Sequence, residues 1–212
     1  MGSVKIDKQD VKDIEKLLAG IKNGVSKVLS KSINSAIKTS QTQAVKLIGK
    51  ELNLKASRIK KDFGSNKASF SKLHGELYAK GQPVGLVNFQ AKELPSGGVS
   101  FKVMKSGKRA KLKHAFIAYG RNNNRHIFTR DRTGMPKSKR PDVFPAGKKS
   151  KAPWERMGKK YQGIGKLQQK SGPRIEDIYS RDSIYGKVRK IAVDSYAKNV
   201  FDNTQDLLRR FG

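Results

Sequence analysis

The residues best suited to bond-making chemistry are few. Three histidines, His74, His114 and His126, stand 40 and 12 residues apart, and the chain has no cysteine. A zinc-type centre needs three or four His, Cys or carboxylate ligands at motif spacing, and neither an HExxH run nor a cysteine cluster is present. Without cysteine there is no thiolate nucleophile and no disulfide, a usage compatible with a cytosolic or an exported protein. Glu176 and Asp177 are the most conspicuous paired carboxylates. Being adjacent, they point to different faces of a helix or strand. After Pro173 they fit the first turn of a helix, where negative charge meets the positive end of the dipole. The glycine-rich runs fail as phosphate cradles: Gly163-Ile164-Gly165-Lys166 lacks the length and the following Ser/Thr of a Walker loop, and Gly97-Gly98 precedes a strand pattern. No Ser/His/Asp elbow is present. The expectation is a protein that is not an enzyme and carries no metal or cofactor.

What the sequence has in abundance is positive charge. Its 212 residues contain 47 Lys+Arg against 17 Asp+Glu, a formal net charge of +30. Such a surface repels its own copies and attracts polyanions, and the attraction weakens steeply with salt as counterions are released. Two clusters concentrate it. Lys102, Lys105, Lys108, Arg109, Lys111 and Lys113 crowd one predicted hairpin, from which a turn could reach a phosphate backbone. Lys137, Lys139 and Arg140, with Lys148, Lys149 and Lys151, form a second, looser cluster. Only Phe144, Trp154 and Tyr161 accompany it as stacking surfaces, so the reading is sequence-independent phosphate contact. The plain alternative for either cluster is a solvated basic surface.

The elements that would position these residues follow from periodicity. Asp7 and Asp10 are placed as a capping pair, and Val11, Ile14, Leu18 and Ile21 follow at helical spacing until Asn23-Gly24 interrupts them. From Val25 the residues Val28, Leu29, Ile33, Ala36, Ile37, Ala44, Leu47 and Ile48 hold one face of a 3.6-residue period, with Lys27, Lys31 and Lys38 opposite. That predicts a helix of about seven turns ending near Gly49 or Leu52. Ala56–Phe63 adds a short helix before a break at Gly64-Ser65-Asn66.

The period then changes to two. Leu77 and Ala79 alternate with polar neighbours, Pro83–Phe89 is a short apolar run, and Val99, Phe101 and Val103 alternate after the Pro95–Gly98 turn. A break at Ser106–Arg109 leads to Leu112 and the run Ala115–Tyr119. Its hairpin partner is His126–Thr129, reached through Gly120–Asn124, since Gly and Asn tolerate the left-handed turn conformation. Asp131–Gly172, rich in Pro, Gly and Lys, reads as a long basic loop. Ser183 caps a C-terminal helix through Ile184, Val188, Ile191, Tyr196, Val200, Leu207 and Phe211, with Asn203 a place where it could bend.

Ile, Leu, Val and Phe make up 50 of the 212 residues, enough for a packed core despite the charge. The fold class expected is α+β, with N- and C-terminal amphipathic helices packed on an antiparallel sheet of hairpins. The parts are a helical segment 1–63, a hairpin sheet 66–130, the basic loop 131–172 and a C-terminal helix 173–212, together one domain of ordinary length. The longest uncharged stretch, Gly81–Ala91, has 11 residues and contains Pro83, short of the roughly 18–20 apolar residues a membrane span needs. Met1–Asp10 has no apolar h-region, so no secretory signal is expected.

The order of segments adds a further pointer. The stretch SINSAIKTSQTQAVKLI with ASRIKKDF, then GVSFKVMKSGKRAKLKHAFIA, then RHIFTR, then GPRIEDIYS and a terminal helix resembles the minor tail protein Z family of lambda-like bacteriophages, the tail-completion proteins of long-tailed phages. His114–Ile117, Ile127–Arg130 and Gly172–Ile175 carry most of the likeness, and the whole spans most of residues 25–211. The resemblance implies a non-enzymatic virion component, made in the host cytoplasm and placed at the head-proximal end of the tail. There it would form a homo-oligomeric ring, sixfold like the tail tube, and help finish the tail for joining to a filled head. Its partners would be copies of itself, the tail terminator and other tail or connector proteins, and the genome end in the lumen, with no membrane or small molecule. The family supplies no catalytic residue to carry over. The competing expectation, drawn from charge alone, is a free sequence-independent nucleic-acid-binding protein.

Overall fold

The computed structural model describes residues 8–120, 123–130 and 167–211. It is of α+β class, with helices and antiparallel sheets. The described residues divide into two compact units: those within 1–49, 56–82 and 175–212 form one, and those within 50–55 and 83–174 the other.

The first unit is mostly helical. Helix α1 covers Lys8–Leu17 and α2 covers Gly24–Glu51, so the long helix lies within two residues of where apolar periodicity sets it. Asp7, read as the cap of α1, lies outside the described residues. Between α1 and α2 the chain reverses at Asn23, whose φ is +57°. Gly24 follows because a Cβ there would sit 3.2 Å from Leu18 and Ile21. Ile14, Leu18, Val28 and Leu29 form a buried cluster with Ile21, Val25, Tyr196, Val200, Leu207 and Leu208 packed on it. The last four belong to helix α5, Asp182–Phe211. Full burial of each aliphatic side chain in such a cluster contributes about 1.5–3 kcal/mol. Helix α5 runs unbroken through Asn203, whose side-chain amide donates to Ser32 Oγ on α2 at 2.9 Å. Its first turn closes on the Arg181 carbonyl, which accepts from Ile184 and Tyr185. The cap position is therefore Arg181 and not Ser183.

The rest of this unit is α3 (Ala56–Lys61), strands β1 (Phe63–Asn66) and β2 (Glu76–Ala79), and α4 (Ile175–Tyr179). The expected break at Gly64–Asn66 is instead strand β1, paired antiparallel with β2 from Phe63↔Ala79 to Asn66↔Glu76. Gly64 is there for close approach: a Cβ would run into the ring of Tyr78, its cross-strand partner. Glu176 and Asp177 lie in the first turn of α4, as read from Pro173. Tyr179 stands edge-on to Phe63 at 5.2 Å and to Tyr185 at 5.8 Å.

The second unit holds β3 (Pro83–Gly85), β4 (Lys92–Glu93), β5 (Val99–Phe101), β6 (Ala110–Leu112), β7 (Ala115–Tyr119), β8 (Arg125–Arg130) and β9 (Leu167–Arg174). One sheet has the order β3-β9-β8-β7 and another β4-β5-β6. The apolar run Pro83–Phe89 is only partly strand, since Leu86–Asn88 winds into a single 3-10 turn. The larger correction is β9. Residues 167–172, read as the end of a basic loop, pair with β8 from Arg130↔Leu167 to Ile127↔Lys170 and with β3 at Gly85↔Ser171. LQQKSGPR lacks the alternation that marks a strand, and its partners hold it in place. Pro173 lies past the last residue paired with β8, so its missing N–H interrupts no bond there. Gly172 lets the chain pass Phe89, whose ring a Cβ would meet at 2.7 Å.

Among the described residues no helix is long and apolar enough to cross a membrane. The histidines and carboxylates do not converge either: among the described residues no three or more His, Asp or Glu are grouped as metal ligands would be.

Candidate nucleic-acid interface

The basic hairpin is built around β5 and β6, which pair in the register Val99↔Leu112, Ser100↔Lys111 and Phe101↔Ala110. Val99 and Phe101 are buried and anchor it. Strand β4 adds to its other side with Lys92↔Ser100 and Glu93↔Val99. The connection from β4 to β5 closes through Gly97 N–H to the Leu94 carbonyl and Leu94 N–H to the Gly98 carbonyl. Pro95 suits the turn start, and Gly97 and Gly98 take φ of +83° and +90°.

Paired residues on neighbouring strands project to the same face. Lys92, Ser100 and Lys111 thus form one row across the small sheet. Lys92 is the member that charge clustering did not single out. The signal lay in the turn: pairing outward from Leu94 and Gly98 brings residue 92 opposite residue 100.

The hairpin lysines are not equivalent. Lys105, Lys108, Lys111 and Lys113 are exposed, whereas Lys102 is half-buried. Segment 102–105 is also stitched down. Lys102 N–H donates to the Phe89 carbonyl at 3.0 Å, and Lys105 N–H to the Glu51 carbonyl at 2.8 Å. Asn53 N–H donates to the Val103 carbonyl at 2.8 Å and its side-chain amide to the Lys102 carbonyl at 3.1 Å. Val103, expected in the strand, therefore bonds to the segment following α2. What stands clear of these bonds is the tip from Ser106 to Lys108.

Arg109 has a different task. Its Nη2 donates to the Gln90 carbonyl at 2.8 Å and to the carbonyl and hydroxyl of Ser100 at 3.2 Å each. The guanidinium lies over the row and satisfies the buried Ser100, so its charge is added to that face while its geometry is committed to the fold. Among the described residues no carboxylate pairs with Lys92, Lys105, Lys108, Lys111 or Lys113. The nearest acidic group in sequence, Glu93, points elsewhere: its Oε1 accepts from Ile117 N–H at 2.9 Å on the free edge of β7. That bond satisfies an edge donor that would otherwise invite another strand.

Among the described residues the arrangement is a face of cations without ion-paired carboxylates and without a group of His, Asp or Glu that could hold a metal. It can bind phosphates and other anions. Lys137, Lys139, Arg140, Lys148, Lys149 and Lys151, the second predicted cluster, lie outside the described residues. No protein-family model, curated protein or solved structure matches the chain.

Proposed function

We propose that this chain is a structural tail-completion protein of a long-tailed phage, acting at the head-proximal end of the tail, and that its basic sheet face meets nucleic-acid phosphates without reading sequence. The observation that carries the contact is the row Lys92–Ser100–Lys111 with Lys105, Lys108 and Lys113 around it, exposed and without acidic partners among the described residues. The resemblance of the segments from SINSAIKTSQTQAVKLI to GPRIEDIYS supports the tail assignment. In an assembled ring, such a face would meet a duplex carrying one negative charge per ~1.7 Å of axis, and non-specific attraction would suffice to hold the genome end.

The test is a salt titration of duplex binding. Replacing Lys92, Lys105, Lys108 and Lys111 by Gln leaves Arg109 and the fold in place. It should lower the slope of log affinity against log salt by up to ~0.9 for each phosphate that is no longer neutralised. An unchanged slope would move the binding face away from this sheet. The tail assignment is tested separately, by looking for the chain in purified tails and sizing the free protein. A chain absent from tails that still binds duplex as a monomer or dimer would be a free nucleic-acid-binding protein.

A further inference from the structure

A second surface, in the helical unit, combines cations with an aromatic ring. Lys27, Ser30, Lys31 and Asn34 of α2 line one side of an open groove of about 500 Å³, and Ala68, Ser69 and Phe70 line the other. Phe70 is 61% exposed, so most of the stabilisation that burying such a side chain would bring is forgone. The turn that carries it is nonetheless pinned. Asn34 holds the Ala68 backbone from both sides, its amide donating to the Ala68 carbonyl at 3.0 Å and its oxygen accepting from Ala68 N–H at 2.9 Å. Ser69 N–H donates to the Lys72 carbonyl at 2.9 Å, and Lys72 N–H to Ser69 Oγ at 3.2 Å, closing a tight turn with Phe70 inside it. Gly75 presses the far end of the segment against Ile33 and Ile37, where a Cβ would come within 2.9 Å and 2.5 Å.

Lys27 and Lys31 stand one helical turn apart beside this ring, and Lys67 and Lys72 flank it in sequence, both exposed. Among the described residues Lys27, Lys31 and Lys67 make no ion pair with a carboxylate, while the charge of Lys72 acts on Glu76. A solvent-facing ring carried on a pinned turn and set among lysines is the chemistry of a single-strand platform: bases stack on the ring and phosphates run along the lysines. A protein anchor would instead need an enclosed pocket that desolvates it, and this groove is open. We infer that the groove between α2 and the 67–72 turn binds unpaired nucleic acid, with Phe70 stacking on a base and Lys27 and Lys31 contacting the backbone. The inference stands independently of the sheet-face lysines and of the tail assignment.

The experiment measures the full chain against a labelled oligothymidylate, a duplex of equal length and polyglutamate. Phe70→Ala should weaken oligothymidylate binding at least about fivefold, since stacking is worth ~1–3 kcal/mol per base, and leave duplex and polyglutamate unchanged. Phe70→Leu, which keeps apolar bulk without a π face, should lose nearly as much, and Phe70→Trp should recover it. Lys27→Gln with Lys31→Gln should lower the single-strand salt slope by about 1.4, at ~0.7 per phosphate. Asn34→Ala, a positioning change that leaves the charge intact, should weaken single-strand binding without altering that slope. Undiminished oligothymidylate binding by both Phe70→Ala and Phe70→Leu would overturn the inference. Equal losses for oligothymidylate and polyglutamate would overturn it too, in favour of an acidic protein partner.

Discussion

Two neighbouring glycines allow the geometry of the basic sheet to be tested quantitatively. Gly97 and Gly98 both occupy positive φ, +83° and +90°, and alanine at either carries backbone strain of about 1–2 kcal/mol. Their surroundings differ. A Cβ on Gly97 meets nothing within 4 Å, whereas one on Gly98 would lie 2.5 Å from the Leu112 carbonyl oxygen and 3.3 Å from Lys113 Cα. Leu112 is paired with Val99, so this carbonyl cannot retreat without disturbing the ladder that carries Lys111. Overpacking of that kind adds about 1–3 kcal/mol. Gly97→Ala should therefore cost about 1–2 kcal/mol and Gly98→Ala about 2–5 kcal/mol. With a urea m-value of about 2 kcal/mol/M, the midpoints should fall by roughly 0.5–1 M and roughly 1–2.5 M. Urea denaturation followed by circular dichroism at fixed pH and salt measures both. Equal midpoints for the two variants would refute the steric argument and with it the tight passage of β5 beneath Leu112.

Two further outcomes follow from residues near and away from that sheet. Arg109→Ala should lower stability by about 1–3 kcal/mol, because the buried Ser100 loses its donor. Arg109→Lys keeps the charge but lacks the planar fork, so it should recover little of that loss in thermal melts. A normal melting temperature for both would leave Arg109 as one more surface cation with no structural task. Burial first, and the neighbouring Tyr185 second, push the Tyr179 hydroxyl above its ordinary value of about 10. The folded state thus resists ionisation that the unfolded state allows. Stability from this group is fully present below pH about 10 and is lost as pH rises through the raised value. Tyr179→Phe should abolish that alkaline loss in circular dichroism melts run across the tyrosinate titration. An unchanged alkaline limb would place its cause in another group.

The α2 boundaries, the β7–β8 hairpin closed between Gly120 and Asn124, and the acidic first turn of α4 were all legible from the residues alone. Each rests on signals that are local: a 3.6-residue apolar period, alternation around a Gly/Asn turn, and carboxylates after a proline. The cation cluster on the β5–β6 hairpin was legible in the same way. Tertiary structure decided the rest. Strand β9 is polar and became a strand because β8 and β3 each offer it a ladder, and β1 is a strand because Gly64 fits beneath Tyr78. Lys92 joined the basic face only through the register set at Leu94 and Gly98, and Arg109 left the set of free cations because Ser100 is buried within reach of its guanidinium. Phe70 is an exposed ring on a turn that Asn34, 34 positions before Ala68, holds in place. Composition determines how much charge the chain must carry. Long-range hydrogen bonds and close backbone approaches decide which of those charges are held for the fold and which stand free at the surface.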